Sequence, residues 1–373
     1  MTTLFDPMKL GDIDVTNRVA MAPLTRNRSP KAIPNDLNVT YYEQRAGAGL
    51  IITEGTPVTQ QGQGYSDVPG LYLPQAVDGW KKVTAAVHVK GGKIVTQLWH
   101  VGRVSHTSLQ PGGAAPVAPS PVPAGGKTYI INDDGTGAFL ETSEPRALEA
   151  SEIAEIVEDF RRAARAAIDA GFDGVEIHGA NGYLIDQFLK TGANQRTDEY
   201  GGSIENRTRF LLQVVDAVTR EIGPGRTGLR LSPTTPANGI SDKDPQALFN
   251  YVAEQLATRE LSFIHVIEGA TGGERGFQYE GTTFDYEAFK AAFRKAGGKA
   301  AWMVNNGYNR EAAMQAVESG RADLVSFGRL FIANPDLVER FKSGAVLNEP
   351  DRDTFYGGGA KGYTDYPSLQ SAA

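Results

Sequence analysis

A segment near the middle of the chain combines side chains suited to proton and oxygen chemistry. In the run Gly174–Tyr183, a strand-like alternation ends at His178, and Asn181 and Tyr183 follow at short spacing. Imidazole or amide donors beside a phenol at the end of a strand could bind a carbonyl-type oxygen and move a proton. The plain alternative is a core histidine followed by a turn.

Polar residues also occupy strand positions where a plain barrel core would have Val, Ile or Leu. On alternate positions of three runs stand Glu176 and His178, Gln97 and Trp99, and Arg230 and Ser232. A buried arginine needs acceptors, which Glu176 or a bound anionic ligand could supply to Arg230. A structural polar network is the alternative. It would not explain why Gln97, His178 and Arg230 all lie near the carboxyl ends of their runs, where the catalytic residues of barrels cluster.

The elements that would position these residues follow a repeated strand-then-helix pattern. Amphipathic helical stretches separate eight strand-like runs, at Arg18–Ala22, Gly49–Thr53, Lys93–Trp99, Gly174–His178, Gly228–Ser232, Phe263–Glu268, Ala301–Asn305 and Leu324–Gly328. This pattern predicts the α/β class and a (β/α)8 TIM barrel. A doubly wound sheet is the competing fold, but no G-x-G-x-x-G motif follows the first runs, where such a sheet would carry it.

Capping signals predict where several helices begin. Ser151 and Ser203 are predicted to cap two of them. Asp244 and Asn334 each precede a proline, which suits the first position of a helix. We therefore expect helices to begin directly after these four residues.

Two segments depart from a plain barrel. Met8–Leu10 and Ile13–Val15 flank Gly11-Asp12 and predict an N-terminal hairpin that could close the bottom of the barrel. Residues 102–150, rich in Pro and Gly, fall between the third strand and its helix and are too long for an ordinary connection. We expect a single barrel domain over residues 1–373, with 102–150 as a cap over the active site. A disordered linker is the alternative for this segment.

Composition limits the classes of function. The 373 residues are 40% hydrophobic and 22% charged, with a net charge of −7, which argues against a nucleic-acid partner. The absence of cysteine excludes a disulfide framework, an iron–sulfur cluster and a thiolate zinc site. The N-terminal residues lack the apolar region of a signal peptide, and no apolar run is long enough to span a membrane. We expect a soluble, cytoplasmic protein without a membrane partner.

The last two strands carry a signal for phosphate binding. Asn306-Gly307 follows the seventh strand, and Gly328-Arg329 follows the eighth. Barrels often bind phosphate through the backbone N–H groups of these two loops, and Arg329 adds positive charge. Together with Gln97 and Arg230, which could address a polar ring, the pattern predicts a phosphorylated heteroaromatic cofactor.

Across nearly its full length the chain resembles the Old Yellow Enzyme family of FMN-dependent ene reductases. The matching motifs are Asn17–Arg26, His178–Tyr183, Phe327–Arg329 and Ala333–Asp336. Within the family, Gln97–Arg103 and Ser232–Asn238 are most similar to the bacterial branch of N-ethylmaleimide and glycerol trinitrate reductases.

The resemblance implies a set of FMN contacts at the barrel mouth. It assigns the phosphate to Asn306, Gly307, Gly328 and Arg329, and the isoalloxazine ring to Pro23, Thr25, Gly55, Gln97 and Arg230. Arg230 would stabilise the anionic reduced flavin. Gln97 would donate and accept along the pyrimidine edge, and Thr25 would donate to the C4 carbonyl. Gly55 stands where relatives often carry alanine.

The resemblance also implies the roles of the substrate-binding residues. His178 and Asn181 would bind the oxygen of an activating carbonyl or nitro group, and Tyr183 would protonate the α-carbon. The second donor varies between His and Asn among the branches of the family, and this chain has Asn181. The walls of the site would be formed by Tyr65, Trp99, Ile240 and Tyr356, for which plain core packing is the alternative.

These features predict an FMN-dependent NAD(P)H oxidoreductase that reduces the C=C bond of electron-poor alkenes such as enals, enones, maleimides and nitroalkenes. In its ping-pong cycle, hydride passes from flavin N5 to the β-carbon and the proton comes from Tyr183. Reduction of nitrate esters or other xenobiotics is the alternative role. A lyase or aldolase would need a lysine or a metal-binding carboxylate set at the strand ends, and we predict no metal site. A flavin carrier would not need Tyr183.

Overall fold

The computed structural model describes residues 2–132 and 134–369. Eight parallel strands form a closed barrel, which confirms the predicted α/β architecture. The strands in chain order are β1 (Met8–Leu10), β2 (Ile13–Val15), β3 (Val19–Met21), β4 (Leu50–Pro57), β5 (Ile94–Trp99), β6 (Val117–Ala118), β7 (Lys127–Ile131), β8 (Gly137–Glu141), β9 (Arg146–Ala147), β10 (Gly174–Gly179), β11 (Thr227–Leu231), β12 (Phe263–Ile267), β13 (Ala301–Asn305) and β14 (Leu324–Phe327).

The barrel contains the eight strands that the hydrophobic pattern predicts. Their order around the barrel is β3, β4, β5, β10, β11, β12, β13 and β14, and β14 pairs with β3 to close it. The register aligns Glu176 with Gln97 and His178 with Arg230. The barrel therefore brings together polar residues that lie far apart in the sequence.

Helices connect most of the barrel strands and cover the barrel from outside. They are α1 (Asp36–Glu43), α2 (Pro74–Val89), α3 (Ala150–Asp169), α4 (Leu184–Leu189), α5 (Ile204–Ile222), α6 (Pro245–Leu256), α7 (Tyr286–Lys295), α8 (Arg310–Glu318), α9 (Arg329–Ala333) and α10 (Leu337–Ser343). Their apolar faces bury residues such as Phe160 and Phe210 against the strands. Among the residues that the structure describes, no helix is long and apolar enough to cross a membrane.

Two of the four predicted helix starts are confirmed and two are wrong. Ser203 caps α5, and Asp244 caps α6 with Pro245 at its first turn. Helix α3 begins one residue before Ser151, because Glu149 and Glu152 form a capping box around its first turn. Helix α10 begins at Leu337 after Asp336, whereas Asn334 ends α9.

The N-terminal hairpin is confirmed, and it packs against the interior of the barrel. Strands β1 and β2 pair in antiparallel register, with Leu10 opposite Ile13. Leu10, Ile13 and Val15 are buried in one apolar cluster with barrel residues that include Leu50 and Phe263. The hairpin therefore closes one end of the barrel with apolar side chains.

The long segment after β5 forms short strands that pack beside the predicted site. It contains β6, β9 and the β7–β8 hairpin. Ala124 packs with Trp99, and Tyr65 and Tyr183 lie against the same cluster. Arg103 Nη2 donates to the carbonyl oxygen of Asn238, in the loop after β11, at 3.2 Å. That residues 102–150 act as a cap within a single domain of residues 1–373 stays a prediction.

Candidate active site

A chain of hydrogen bonds joins four barrel strands, β5, β10, β12 and β14, inside the barrel. Gln97 Nε2 donates to Glu176 Oε1 at 2.8 Å. Glu176 Oε2 lies 2.6 Å from His265 Nδ1, and His265 Nε2 lies 2.7 Å from Ser326 Oγ. All four side chains are buried. Because the Gln97 amide nitrogen is held by Glu176, the Gln97 amide oxygen is left as an acceptor.

Arg230 lies in the same interior and bonds to Asn305, a residue that was not among its candidate partners. Its Nη2 donates to Asn305 Oδ1 at 2.9 Å, whereas Glu176 acts on Arg230 only through its charge. Glu176 is therefore not its hydrogen-bonding partner, and the two Glu176 oxygens bond instead to Gln97 and His265. Burial lowers the pKa of Arg230 to about 10, and its Nε has no partner among the described residues. An anionic ligand would satisfy this donor and stabilise the guanidinium charge.

His178 is a buried, neutral donor. Its Nδ1 accepts from the Ala180 backbone N–H at 3.3 Å, so the proton of the neutral ring is on Nε2. Burial, together with the charges of Arg230 and His265, holds the pKa of His178 well below its usual value. The imidazole therefore offers one N–H donor and does not carry a positive charge at neutral pH.

The lowered pKa of His178 has a consequence for ligand binding. A group whose pKa lies below its usual value of about 6.5 stays in its neutral form as the pH falls. The affinity of the protein for cyclohexenone, a carbonyl compound that does not titrate, should therefore change less than about twofold between pH 5.5 and 8. Isothermal titration calorimetry measures this affinity. An inflection near pH 6.5 would contradict a neutral His178.

Asn181 is held in a left-handed backbone conformation with φ of 60°. Its N–H donates to Ser232 Oγ at 2.7 Å, and its carbonyl oxygen accepts from Asn238 Nδ2 at 2.8 Å. Thr271 Oγ1 donates to Asn181 Oδ1 at 2.6 Å, which leaves the Asn181 amide N–H groups as donors. The sequence pattern did not single out Asn238 and Thr271, because no local signal links them to Asn181.

Tyr183 lies in an aromatic cluster at the start of α4. Its hydroxyl is 3.2 Å from the Tyr65 hydroxyl, and its ring meets the rings of Trp99 and His178 edge-on at 4.9 and 5.0 Å. Burial raises the pKa of Tyr183, although hydrogen bonds from Tyr65 and Asn238 lower it in part. The phenol therefore keeps its proton at neutral pH, as a proton donor must.

Gly55 makes room for the indole ring of Trp99. It pairs with Gln97 in the barrel, and a Cβ at this position would lie 2.4 Å from Trp99 Cε3. Trp99 cannot easily yield, since it is 1% exposed and stacks on Tyr65 at 5.5 Å. The glycine therefore fixes the position of one wall of the aromatic cluster.

The substitution Gly55→Ala should destabilise the protein, because it overpacks this wall. We expect the free energy of unfolding to fall by about 1–3 kcal/mol, as measured by urea denaturation. Gly47→Ala is the matched control, because a Cβ at Gly47 meets no atom within 4 Å. Equal stability of the two variants would show that Trp99 shifts without cost.

The predicted phosphate-binding residues line one cavity of about 1010 Å³. Asn306 has φ of 91° and Gly307 has φ of 68°, and the Asn306 side chain donates to the carbonyl oxygens of Glu268 and Ala270. Its side-chain N–H donors are thus committed to the protein, and its backbone N–H is the donor that remains for a phosphate. The predicted residues that share the cavity are Pro23, Asn181, Arg230, Asn306, Gly307, Gly328 and Arg329.

The remaining predicted residues are not among those that line this cavity. Tyr65, Trp99, His178 and Tyr183 form the aromatic cluster. Ile240 is 2% exposed and lies beside Gly182. Tyr356 is 46% exposed and packs on Phe139 of β8 at 5.6 Å. Thr25 is half-buried after β3.

Comparison with known proteins places the chain among flavin enzymes. Residues 3–348 match the NADH:flavin oxidoreductase / NADH oxidase family. 12-oxophytodienoate reductase 7 of Oryza sativa subsp. japonica is 46% identical over 375 residues, with 98% of this chain and 94% of the relative covered. 12-oxophytodienoate reductase 2 of Arabidopsis thaliana is 45% identical over 375 residues, with 99% of this chain and 96% of the relative covered.

Two solved structures are similar to this chain over nearly its full length. Morphinone reductase in complex with tetrahydroNAD has a TM-score of 0.92 and 48% identity, with 99% of this chain and 98% of that chain covered. The old yellow enzyme homologue from Zymomonas mobilis has a TM-score of 0.92 and 41% identity, with 99% and 100% covered.

The protein is therefore a flavin-dependent oxidoreductase built on an α/β barrel. The chain belongs to the NADH:flavin oxidoreductase / NADH oxidase family, that of the Old Yellow Enzymes, which confirms the resemblance at the level of the family. Its cofactor is FMN, and a nicotinamide nucleotide is its reductant. The orphan Arg230 Nε and the size of the cavity both suit such a cofactor.

Proposed function

We propose that the protein is an ene reductase that uses NAD(P)H to reduce the C=C bond of electron-poor alkenes. One observation carries the proposal: two neutral N–H donors and a protonated phenol lie within the six-residue segment 178–183. The donors are His178 Nε2 and the Asn181 amide, and the phenol is Tyr183. This set suits a substrate that gains negative charge on an oxygen and a proton on carbon.

The chain's own groups would act in sequence on the alkene. His178 and Asn181 bind the oxygen of the carbonyl or nitro group and stabilise the charge that develops there. FMN, when bound, supplies the hydride for the β-carbon. Tyr183 delivers the proton to the α-carbon, and the aromatic walls formed by Trp99 and Tyr65 exclude water from the reacting atoms.

The cofactor would be held at two ends of the barrel mouth. Arg230 and Gln97 would face the polar edge of the flavin ring. Arg230 Nε has no partner among the described residues, and the Gln97 amide oxygen is left as an acceptor. Backbone N–H groups of Asn306, Gly307 and Gly328, with the charge of Arg329, suit the phosphate. Pro23, Thr25 and Gly55 complete the proposed contacts.

A more specific part of the proposal concerns the substrate. The segments Gln97–Arg103 and Ser232–Asn238 favour the branch of N-ethylmaleimide and glycerol trinitrate reductases. The relatives described above are instead named for oxophytodienoate and morphinone reduction. Because nitro and carbonyl oxygens accept hydrogen bonds alike, we keep nitrate-ester reduction as the second candidate.

A panel of anaerobic oxidative half-reactions tests the proposal. The purified protein should be yellow, and NADPH or NADH should bleach it. The reduced enzyme should then be reoxidised by cyclohexenone and N-ethylmaleimide, with glycerol trinitrate as the test of the second candidate. A yellow protein that NAD(P)H does not bleach would indicate a flavin carrier. Reoxidation by the nitrate ester but by no alkene would favour the second candidate.

A further inference from the structure

The loop after β12 brings a threonine hydroxyl against one of the two proposed oxygen donors. Thr271 Oγ1 donates to Asn181 Oδ1 at 2.6 Å, and both residues line the cavity. We propose that Thr271 is a positioning residue that sets which end of the Asn181 amide faces the substrate. The inference rests on the proposed function, because it assigns Asn181 to the binding of the substrate oxygen.

An asparagine donor needs such a partner because its amide has two ends of similar size. The Nδ2 end donates, whereas the Oδ1 end only accepts and would repel the oxygen of a carbonyl or nitro group. Rotation of the amide by half a turn exchanges the two ends without moving the backbone. The hydrogen bond from Thr271 favours the orientation in which Oδ1 faces the protein and Nδ2 remains for the ligand.

The hydroxyl proton of Thr271 is itself directed toward Asn181. Thr235 Oγ1 donates to Thr271 Oγ1 at 3.0 Å, so the Thr271 oxygen accepts from one side. The Thr271 backbone N–H donates to Thr235 Oγ1 at 3.1 Å, which fixes the two threonines relative to each other. The single hydroxyl proton of Thr271 is then free to go to Asn181.

Hydrogen bonds hold the backbone of the loop in place before and after Thr271. Asn306 Nδ2 donates to the carbonyl oxygens of Glu268 and Ala270 at 2.7 and 2.8 Å, before Thr271 in the loop. Arg329 donates to the carbonyl oxygen of Gly272, directly after it. Asn306 and Arg329, which anchor the loop, are two of the four proposed phosphate-binding residues, so the loop links the proposed phosphate site to the oxygen-binding donors.

Thr271→Val tests the inference, because valine keeps the shape of threonine and removes its hydroxyl. We expect the Kd of the FMN-loaded protein for para-chlorophenol, titrated by its long-wavelength charge-transfer band, to rise about tenfold. KM for cyclohexenone should rise by a similar factor with a smaller change in kcat. Thr271→Ser, which keeps the hydroxyl, should stay within about twofold of the wild-type Kd.

Thr282→Val is the matched control. Thr282 lies further along the connection after β12, and its hydroxyl donates to the carbonyl oxygen of Tyr279. The same loss of a hydroxyl there should leave phenol binding unchanged. An unchanged Kd in Thr271→Val would overturn the inference. A tenfold loss in Thr271→Ser would also overturn it, and this result can be obtained even if the valine variant does not fold.

A double-variant cycle shows whether Thr271 acts through Asn181. In an Asn181→Ala background, Thr271→Val should cause no further loss of phenol affinity, because the amide that it orients is gone. A second tenfold loss in that background would overturn the inference. If Asn181→Ala and His178→Ala both bind phenol as the wild type does, the proposed oxygen site itself is wrong, which is a different failure.

Discussion

Tyr183→Phe should slow the oxidative half-reaction with alkenes by about 10²- to 10⁴-fold while flavin reduction by NADPH keeps nearly its wild-type rate. The substitution removes one hydroxyl from a ring packed between Trp99 and His178. The shape of the site is therefore preserved, and the proton donor alone is lost. Anaerobic stopped-flow spectroscopy measures the two half-reactions separately.

The Tyr65 hydroxyl, 3.2 Å from that of Tyr183, offers an alternative route for the proton. Tyr65→Phe should slow alkene reduction far less than Tyr183→Phe if Tyr183 is the donor. Equal loss in the two variants would mean that the proton passes through both hydroxyls. Wild-type rates in both half-reactions of Tyr183→Phe would show that another group donates the proton.

His178→Ala should weaken phenol binding by about tenfold to a hundredfold, since it removes a buried donor to a ligand oxygen that carries negative charge. Alkene reduction should fall by about 10²- to 10³-fold, the usual cost of losing one donor to a developing oxyanion. Titration of the charge-transfer band with a phenol and single-turnover kinetics with cyclohexenone measure the two effects.

His106→Ala is the matched control for this substitution. His106 is half-buried in the segment after β5 and hydrogen-bonds to Ser108. Its removal should leave phenol affinity within about twofold of wild type, the scatter expected of a surface substitution. A phenol titration of His178→Ala that matches the wild type would remove His178 from the oxygen site.

The predictions for Tyr183→Phe and His178→Ala depend on opposite effects of burial on the pKa values of the two side chains. Burial lowers the pKa of His178 and raises that of Tyr183, so both groups stay neutral and keep a proton to donate. Arg230 remains charged although burial lowers its pKa to about 10. The site thus combines one fixed positive charge with neutral donors, an arrangement suited to negative charge that develops during a reaction.

The sequence predicted the barrel because each strand carries its own signal. Short runs rich in apolar residues, separated by amphipathic helical stretches, marked all eight barrel strands, and Gly11-Asp12 between two short apolar runs marked the hairpin. Helix starts were predicted less well: Ser203 was correct, but the start after Ser151 was displaced by the capping box of Glu149. Whether Glu149 or Ser151 caps α3 depends on the backbone geometry at the start of the helix.

The residue types of the site were also evident from the sequence. His178, Asn181 and Tyr183 stand close together in one segment, and Gln97 and Arg230 are polar residues on strands that should be apolar inside. Their roles toward FMN and substrate stay predictions. The protein's membership of a flavin oxidoreductase family supports these roles without testing them residue by residue.

The partners of these residues were decided only by the tertiary structure. Gln97 bonds to Glu176 79 positions away, Glu176 to His265 89 positions away, and Asn181 to Thr271 90 positions away. Arg230 bonds to Asn305, which the sequence did not indicate, and not to Glu176, one of its two candidate partners. A residue's type and its face on a strand are local properties, whereas its partner depends on how the closed barrel sets the register between strands.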